Sequence, residues 1–148
     1  MDKSLIGISG AHFVAAEMSR KGYVVTLTSR NTEGIDILAS NKDGTKTVAI
    51  QVKTTEGKTE PRAWILSKKS ENLKSANLFY VFVTLKKDQI PDFFIVSSAD
   101  VAHYIQTDHE YWMNKPGKQG QAHKESDIRK FRDTEGKYLN KWNLLDLD

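Results

Sequence analysis

Gly34-Ile35-Asp36-Ile37-Leu38-Ala39 and Thr47-Val48-Ala49-Ile50-Gln51-Val52-Lys53 are two apolar runs carrying polar residues where a buried strand has no use for them. Between them lies a polar tip, Ser40-Asn41-Lys42-Asp43-Gly44-Thr45. Strand, turn, strand is the reading, and Asp-Gly is a strong two-residue hairpin signal. With Asp43 and Gly44 as the turn, the register sets Asp36 opposite Gln51 and Gly34 opposite Lys53. Residues directly opposite in an antiparallel pair project to one face. Lys53 lies two positions past Gln51 and shares that face. Gly34 has no side chain and leaves room beside the amine. An acid, an amide and an amine thus converge in a hairpin that otherwise reads as buried. Unpartnered, such groups cost several kcal/mol to bury, so the cluster reads as a site.

Outward from the hairpin, Ser9 is expected to cap a helix from about Gly10 to Lys21, ended by Gly22. Tyr23 to Thr28 reads as a β-branched strand, and residues 31–34 as a turn into the hairpin. Thr54 to Arg62 is a polar loop; Ala63 to Leu66 is a short strand or a helix start; Ser67 to Ser75 is a short polar helix. Leu78-Phe79-Tyr80-Val81-Phe82-Val83-Thr84-Leu85 is apolar throughout, which places it centrally with both faces covered. A strand follows at Asp92 to Val96, and Ser98 caps a helix from Ala99 to about Trp112. Asp127 to Arg132 reads as a basic helical turn, and Tyr138 to Leu145 as a segment that packs back. The pattern predicts one α/β domain over residues 1–148, a central mixed sheet flanked by helices. Its core spans about 9–112, and a basic extension covers 113–148.

The chain of 148 residues is long enough for a real core, with 28% charged and 39% hydrophobic residues. Cysteine is absent, which excludes disulfides and thiolate metal sites and fits a reducing cytoplasm. Neither a signal peptide nor a membrane-spanning apolar run is present in the sequence. The net charge of +3 is unevenly placed: residues 114–132 hold six basic and two acidic side chains. Lys115, Lys118, Lys124, Arg129 and Lys130 in that segment suit a polyanionic partner, or equally form a solvated loop.

Glu17, at the edge of the first helix's apolar side, could lean over Asp36; the alternative is an ion pair with Arg20 or Lys21. With Glu17 on the opening helix, Asp36 on the second strand and Gln51-Val52-Lys53 on the third, the chain resembles the PD-(D/E)XK nuclease superfamily, the restriction-endonuclease-like fold. The resemblance runs from about Ser9 to Leu85; beyond that only the general architecture matches. It implies metal-dependent hydrolysis of phosphodiesters by a DNA endonuclease, DNA ahead of RNA. It implies Mg²⁺ (or Mn²⁺) as cofactor, held by Asp36, Gln51, the Val52 carbonyl and Glu17. Lys53 would serve the attacking water and the charged phosphate. Gln51 departs from the pattern, which usually has an acid there; an amide oxygen can ligate a metal but brings no charge. The alternative is therefore a catalytically inactive nucleic-acid-binding module on the same fold. A blander third reading is a protein-interaction domain with a buried polar network. A homodimer would suit the cutting of two strands.

The remaining residues speak more softly. His12, His103, His109 and His123 show no metal-ligand spacing. Trp64, Trp112 and Trp142 read as packing residues before stacking platforms, and Lys68 and Lys69 as a solvated face. Arg30 and Asn31 fall near the expected groove mouth.

Overall fold

The computed structural model describes residues 1–29, 33–57 and 63–148; Arg30 and Asn31, and the later part of the expected 54–62 loop, lie outside them. Helix α1 runs from Lys3 to Arg20, seven residues longer at its start than expected. Its cap is Asp2, not Ser9: the Asp2 carboxylate accepts from the Ser4 N–H at 2.8 Å. Gly22 follows with φ +93°, a backbone value that favours glycine. Strands β1 (Val24–Leu27), β2 (Ile37–Ser40), β3 (Thr47–Thr55), β4 (Trp64–Ser67), β5 (Leu78–Lys86) and β6 (Gln89–Ser97) follow. Helix α2 (Ser98–Asn114) is capped by Ser97, whose hydroxyl accepts from the Asp100 N–H. Strand β7 spans Ile128–Phe131.

Five strands form one mixed sheet in the order β1-β2-β3-β5-β6, with β3 and β5 parallel and the other neighbours antiparallel. The apolar run of β5 sits inside the sheet with Phe79 to Thr84 buried, as its composition demands. Its odd residues Phe79, Val81 and Val83 join α1's Val14 and Met18 with Ile37 and Ile50. Its even residues Tyr80 and Phe82 join Trp64, Phe131 and α2's Val101 and Ile105 on the other face. Alternation along one strand thus builds two core layers.

Two sequence expectations fail here. Residues 127–132 are not a helical turn: β7 pairs antiparallel with β4 in a separate two-stranded ribbon. The alternation in Ile128-Arg129-Lys130-Phe131, exposed then buried, is strand spacing. The segment from Ser67 forms only a short 3-10 turn, Lys68–Glu71. The expected return of the C-terminal segment holds: the Tyr138 carbonyl accepts from Ile95 N–H at 3.0 Å on β6's outer edge, and Trp142, Leu145 and Leu147 are buried.

The β2–β3 register is the expected one from Ile37, across from Ile50, to Ser40, across from Thr47; the ladder stops there, so the expected pairs Asp36–Gln51 and Gly34–Lys53 do not form, and the Asp36 N–H bonds the Ile50 carbonyl instead. The turn is not the expected one. Asn41 and Lys46 close a wider tip (Asn41 N–H to Lys46 carbonyl, 3.1 Å), and a further bond joins Gly44 N–H to the Asn41 carbonyl. Gly44 has φ +74° and Asp43 does not share the left-handed region, whereas the two-residue type I′ turn needs it at both positions. A centred four-residue tip gives the same register as a centred two-residue one.

Candidate active site

Asp36 stands at the residue before β2, where the hairpin opens. Its carbonyl accepts from Thr28 N–H at 2.9 Å, and its own N–H donates to the Ile50 carbonyl at 2.8 Å. The Thr28 hydroxyl donates to the Ile35 carbonyl at 2.6 Å. The main chain at 35–36 is thus held from β1 and from β3. The side chain does something the ladder does not: its Oδ2 accepts from the Val52 N–H at 2.7 Å. A carboxylate has replaced the backbone acceptor of the next rung, and the bond to a charged acceptor is of the stronger kind. In a strand the N–H and C=O of one residue leave on the same side, so the Val52 carbonyl also faces the Asp36 side.

Gln51 lies between Ile50, which binds the Asp36 main chain, and Val52, which binds its side chain. Gln51 is half-buried and registers with Tyr80 of β5. Its Oε1 is buried with no hydrogen-bond partner. Buried polar atoms are almost always partnered, so an orphaned amide oxygen next along the chain from Val52 marks a place for a ligand. Gly34 has φ +75°; its requirement is conformational, setting the turn into Asp36, rather than space for an amine.

Lys53 is half-buried and makes no ion pair among the described residues. It opens into a cleft of about 490 Å³ with Lys3 and Ile6 of α1, Thr55 and Glu56 of β3's end, and Ile65 of β4. Asp36 opens into a groove of about 860 Å³ with Ser4, Gly7, Ile8 and His12 of α1 and Thr28 of β1's end. The two hollows take adjacent stripes of the same α1 turns. Between them α1 rests directly on β3: a methyl group at Gly10 would come within 2.8 Å of Thr54 Cβ and Cγ2.

Glu17 is not among the residues lining either hollow. It pairs with Arg20 at 2.9 Å and Lys21 at 3.8 Å, the alternative the helical spacing allowed. The stretch of α1 beside Asp36 is Ser4 to His12, and Glu17 lies more than a turn further on. His12, unremarkable by spacing, is the titratable side chain that α1 brings to the Asp36 groove. No signal in the sequence marks it, because the packing of α1 on the sheet decides which of its turns meets Asp36. Among the described residues no group of three or more His, Asp or Glu side chains is placed to hold a metal. The donor set consists of hard oxygens, from the Asp36 carboxylate, the Gln51 amide and the Val52 carbonyl, and it suits Mg²⁺ or Mn²⁺.

Of the expected nucleic-acid contacts, Lys115, Lys118, Lys124 and Lys130 are exposed. Arg129 is not a surface cation: it is 3% exposed. Its Nε donates to Glu71 at 2.7 Å and its Nη1 to the Ser126 carbonyl. A buried guanidinium needs its partners, and this one spends its donors on the fold.

A family model described as Mrr_cat, restriction endonuclease, matches residues 9–64. No curated protein matches the chain. Among solved structures, the bacterial homing endonuclease I-Ssp6803I is similar at a TM-score of 0.57 and 12% identity, over 98% of this chain and 92% of that one. The fold is restriction-endonuclease-like. The family-model match covers the part of the chain that carries Asp36, Gln51 and Lys53.

Proposed function

We propose that this protein is a metal-dependent nuclease that hydrolyses phosphodiester bonds, with DNA as its substrate. The observation that carries the reading is the Asp36 carboxylate pinned on the Val52 N–H at 2.7 Å, with the Gln51 Oε1 of the preceding residue left without a partner. Asp36, Gln51 and the Val52 carbonyl would hold a divalent cation, which when bound supplies charge neutralisation at the phosphate and a more acidic water. Lys53 supplies a positive charge in the adjoining cleft, where it can stabilise the additional negative charge of the pentavalent phosphate. The walls of the hollows, Lys3 and Ser4 among them, offer further donors to a phosphate backbone.

The test is nicking of supercoiled DNA in Mg²⁺ or Mn²⁺ by the wild type, Asp36→Ala and Lys53→Ala. Loss of cleavage in both variants, with the fold retained, is expected; full activity in either one removes the enzymatic reading. A second reading, a non-cleaving nucleic-acid-binding module, is favoured by the uncharged Gln51. Titration calorimetry separates them, because DNA binding without metal binding supports the second.

A further inference from the structure

We infer that the β4–β7 ribbon and the last turns of α2 form a second binding site, which takes an unpaired stretch of the nucleic acid and stacks its bases on Tyr111 and Trp112. The inference rests on the nuclease reading only for the identity of the polymer.

A cavity of about 340 Å³ lies between the end of α2 and β7, within the range of small-ligand pockets, which begin at about 300 Å³. Tyr111 and Trp112 line it while 67% and 39% exposed, whereas Trp64 and Trp142 are buried at 3% and 5%. Core packing therefore accounts for two tryptophans and leaves the third unexplained. Trp112 is not loose: His123 stacks on it at 4.0 Å and His109 at 5.7 Å. A ring held in advance loses little entropy when a ligand stacks. His109 is itself fixed by Glu125 at 2.9 Å.

The charge around these rings is positive. The Lys115 amine lies 5.9 Å from the Tyr111 ring centre, and Lys130 and Arg132 line the same cavity. Its acid, Asp108, faces Arg132 at 3.9 Å. Aromatic faces interleaved with cations are the chemistry of single-strand binding, in which every base offers a π-face and every linkage a charge. A base within a duplex offers no free face unless it is flipped out.

The ribbon connects this cavity to the candidate active site. Ile65 of β4 lines the cleft that holds Lys53, and across the ladder it pairs with Lys130, which lines the aromatic cavity. Ile128 lies two residues from Lys130 and so on the same face, and Ile65 and Ile128 are 54% and 55% exposed. The outer face of the ribbon reads apolar, basic, apolar from one hollow to the other. Arg129, turned inward onto Glu71, holds that ribbon against the body.

The experiment uses full-length Asp36→Ala protein without added metal, so that the ligand stays whole. Quenching of tryptophan fluorescence is followed during titration with an oligothymidylate, a closed hairpin duplex, or poly-glutamate. The single strand is expected to quench and to bind at least tenfold more tightly than the duplex. Tyr111→Ala and Trp112→Ala, the latter followed by anisotropy of a labelled strand, should each weaken single-strand binding roughly 5- to 100-fold while leaving duplex affinity unchanged. Trp112→Phe should retain most of it, which separates stacking from misfolding. Equal affinity for strand and duplex, ring variants without effect, or equal binding of poly-glutamate would overturn the inference. Preference for the single strand in a protein that never cleaves DNA would leave this site standing and sink the nuclease reading instead.

Discussion

The Val52 N–H donates to the Asp36 carboxylate at 2.7 Å, where the next backbone rung between β2 and β3 would stand. The bond anchors one carboxylate oxygen against β3 and opens the hairpin at the same residue. Asp36→Asn keeps the size and removes the charge. Cleavage should fall about 100-fold or more, because several kcal/mol of charge stabilisation are lost with the cation. The hydrogen bond to a charged acceptor contributes about 1.5–3 kcal/mol, so some thermal destabilisation should accompany the loss. Nicking rate and thermal midpoint together measure both.

Glu17 offers the opposite expectation. Its partners Arg20 and Lys21 are on its own helix, and the Arg20 side chain is 78% exposed. Pairs of this kind contribute about 0–1 kcal/mol. Glu17→Gln should leave nicking within about threefold of wild type and stability within that range. A loss matching that of Asp36→Ala would show that Glu17 reaches the site in the working enzyme.

Gln51→Glu puts a charge on the orphaned position. Affinity for Mn²⁺ by calorimetry should rise about tenfold, since an added anionic oxygen favours a hard cation. In chelator the same variant should melt below wild type, because a carboxylate then stands where a half-buried amide did, and Mn²⁺ should reverse the order. Unchanged metal affinity would mean the Gln51 oxygen faces away from the cation.

Gly10→Ala tests the seat of α1 on β3. In an exposed helix the change would stabilise by up to about 1 kcal/mol. Here the added carbon meets Thr54 Oγ1 first and then Cβ and Cγ2 at 2.8 Å; Cβ is fixed to the β3 backbone, so no rotation of the Thr54 side chain relieves the clash. Overpacking costs about 1–3 kcal/mol. The steric term therefore wins, and the urea midpoint should fall; a rise would show that α1 sits further from β3.

Tyr23 gives a pH dependence. Its hydroxyl donates to Asp148 at 2.7 Å, and burial, then the Asp148 bond and charge, push its pKa from 10 up to about 12. A folded value above the unfolded one means the contribution is complete below pH 10 and is lost as pH rises toward 12. Tyr23→Phe should lose about 1 kcal/mol at pH 8. It should also show a shallower decline in urea midpoint between pH 10 and pH 11.5 than wild type. Parallel declines would place Tyr23's titration elsewhere.

The hairpin was legible because its information is local. Period-two patterning and a centred polar tip set Ile37 against Ile50 whichever turn closes the loop. The unbroken apolar run of β5 likewise announced a strand covered on both faces. Helix α1 was legible in kind but not in extent: Ser9 was read as its cap, and Asp2 holds that place.

The sequence by itself determined the strand register from Ile37 to Ser40 and the central strand, because each follows from side-chain alternation along contiguous residues. Only the tertiary structure decided which α1 turns face Asp36. It also decided that Arg129 is spent on Glu71, and that β4 and β7, more than 60 residues apart, join in a ribbon between two hollows. Those outcomes depend on which distant surface covers each face, and burial of one element against another leaves no unique mark on the residues of either.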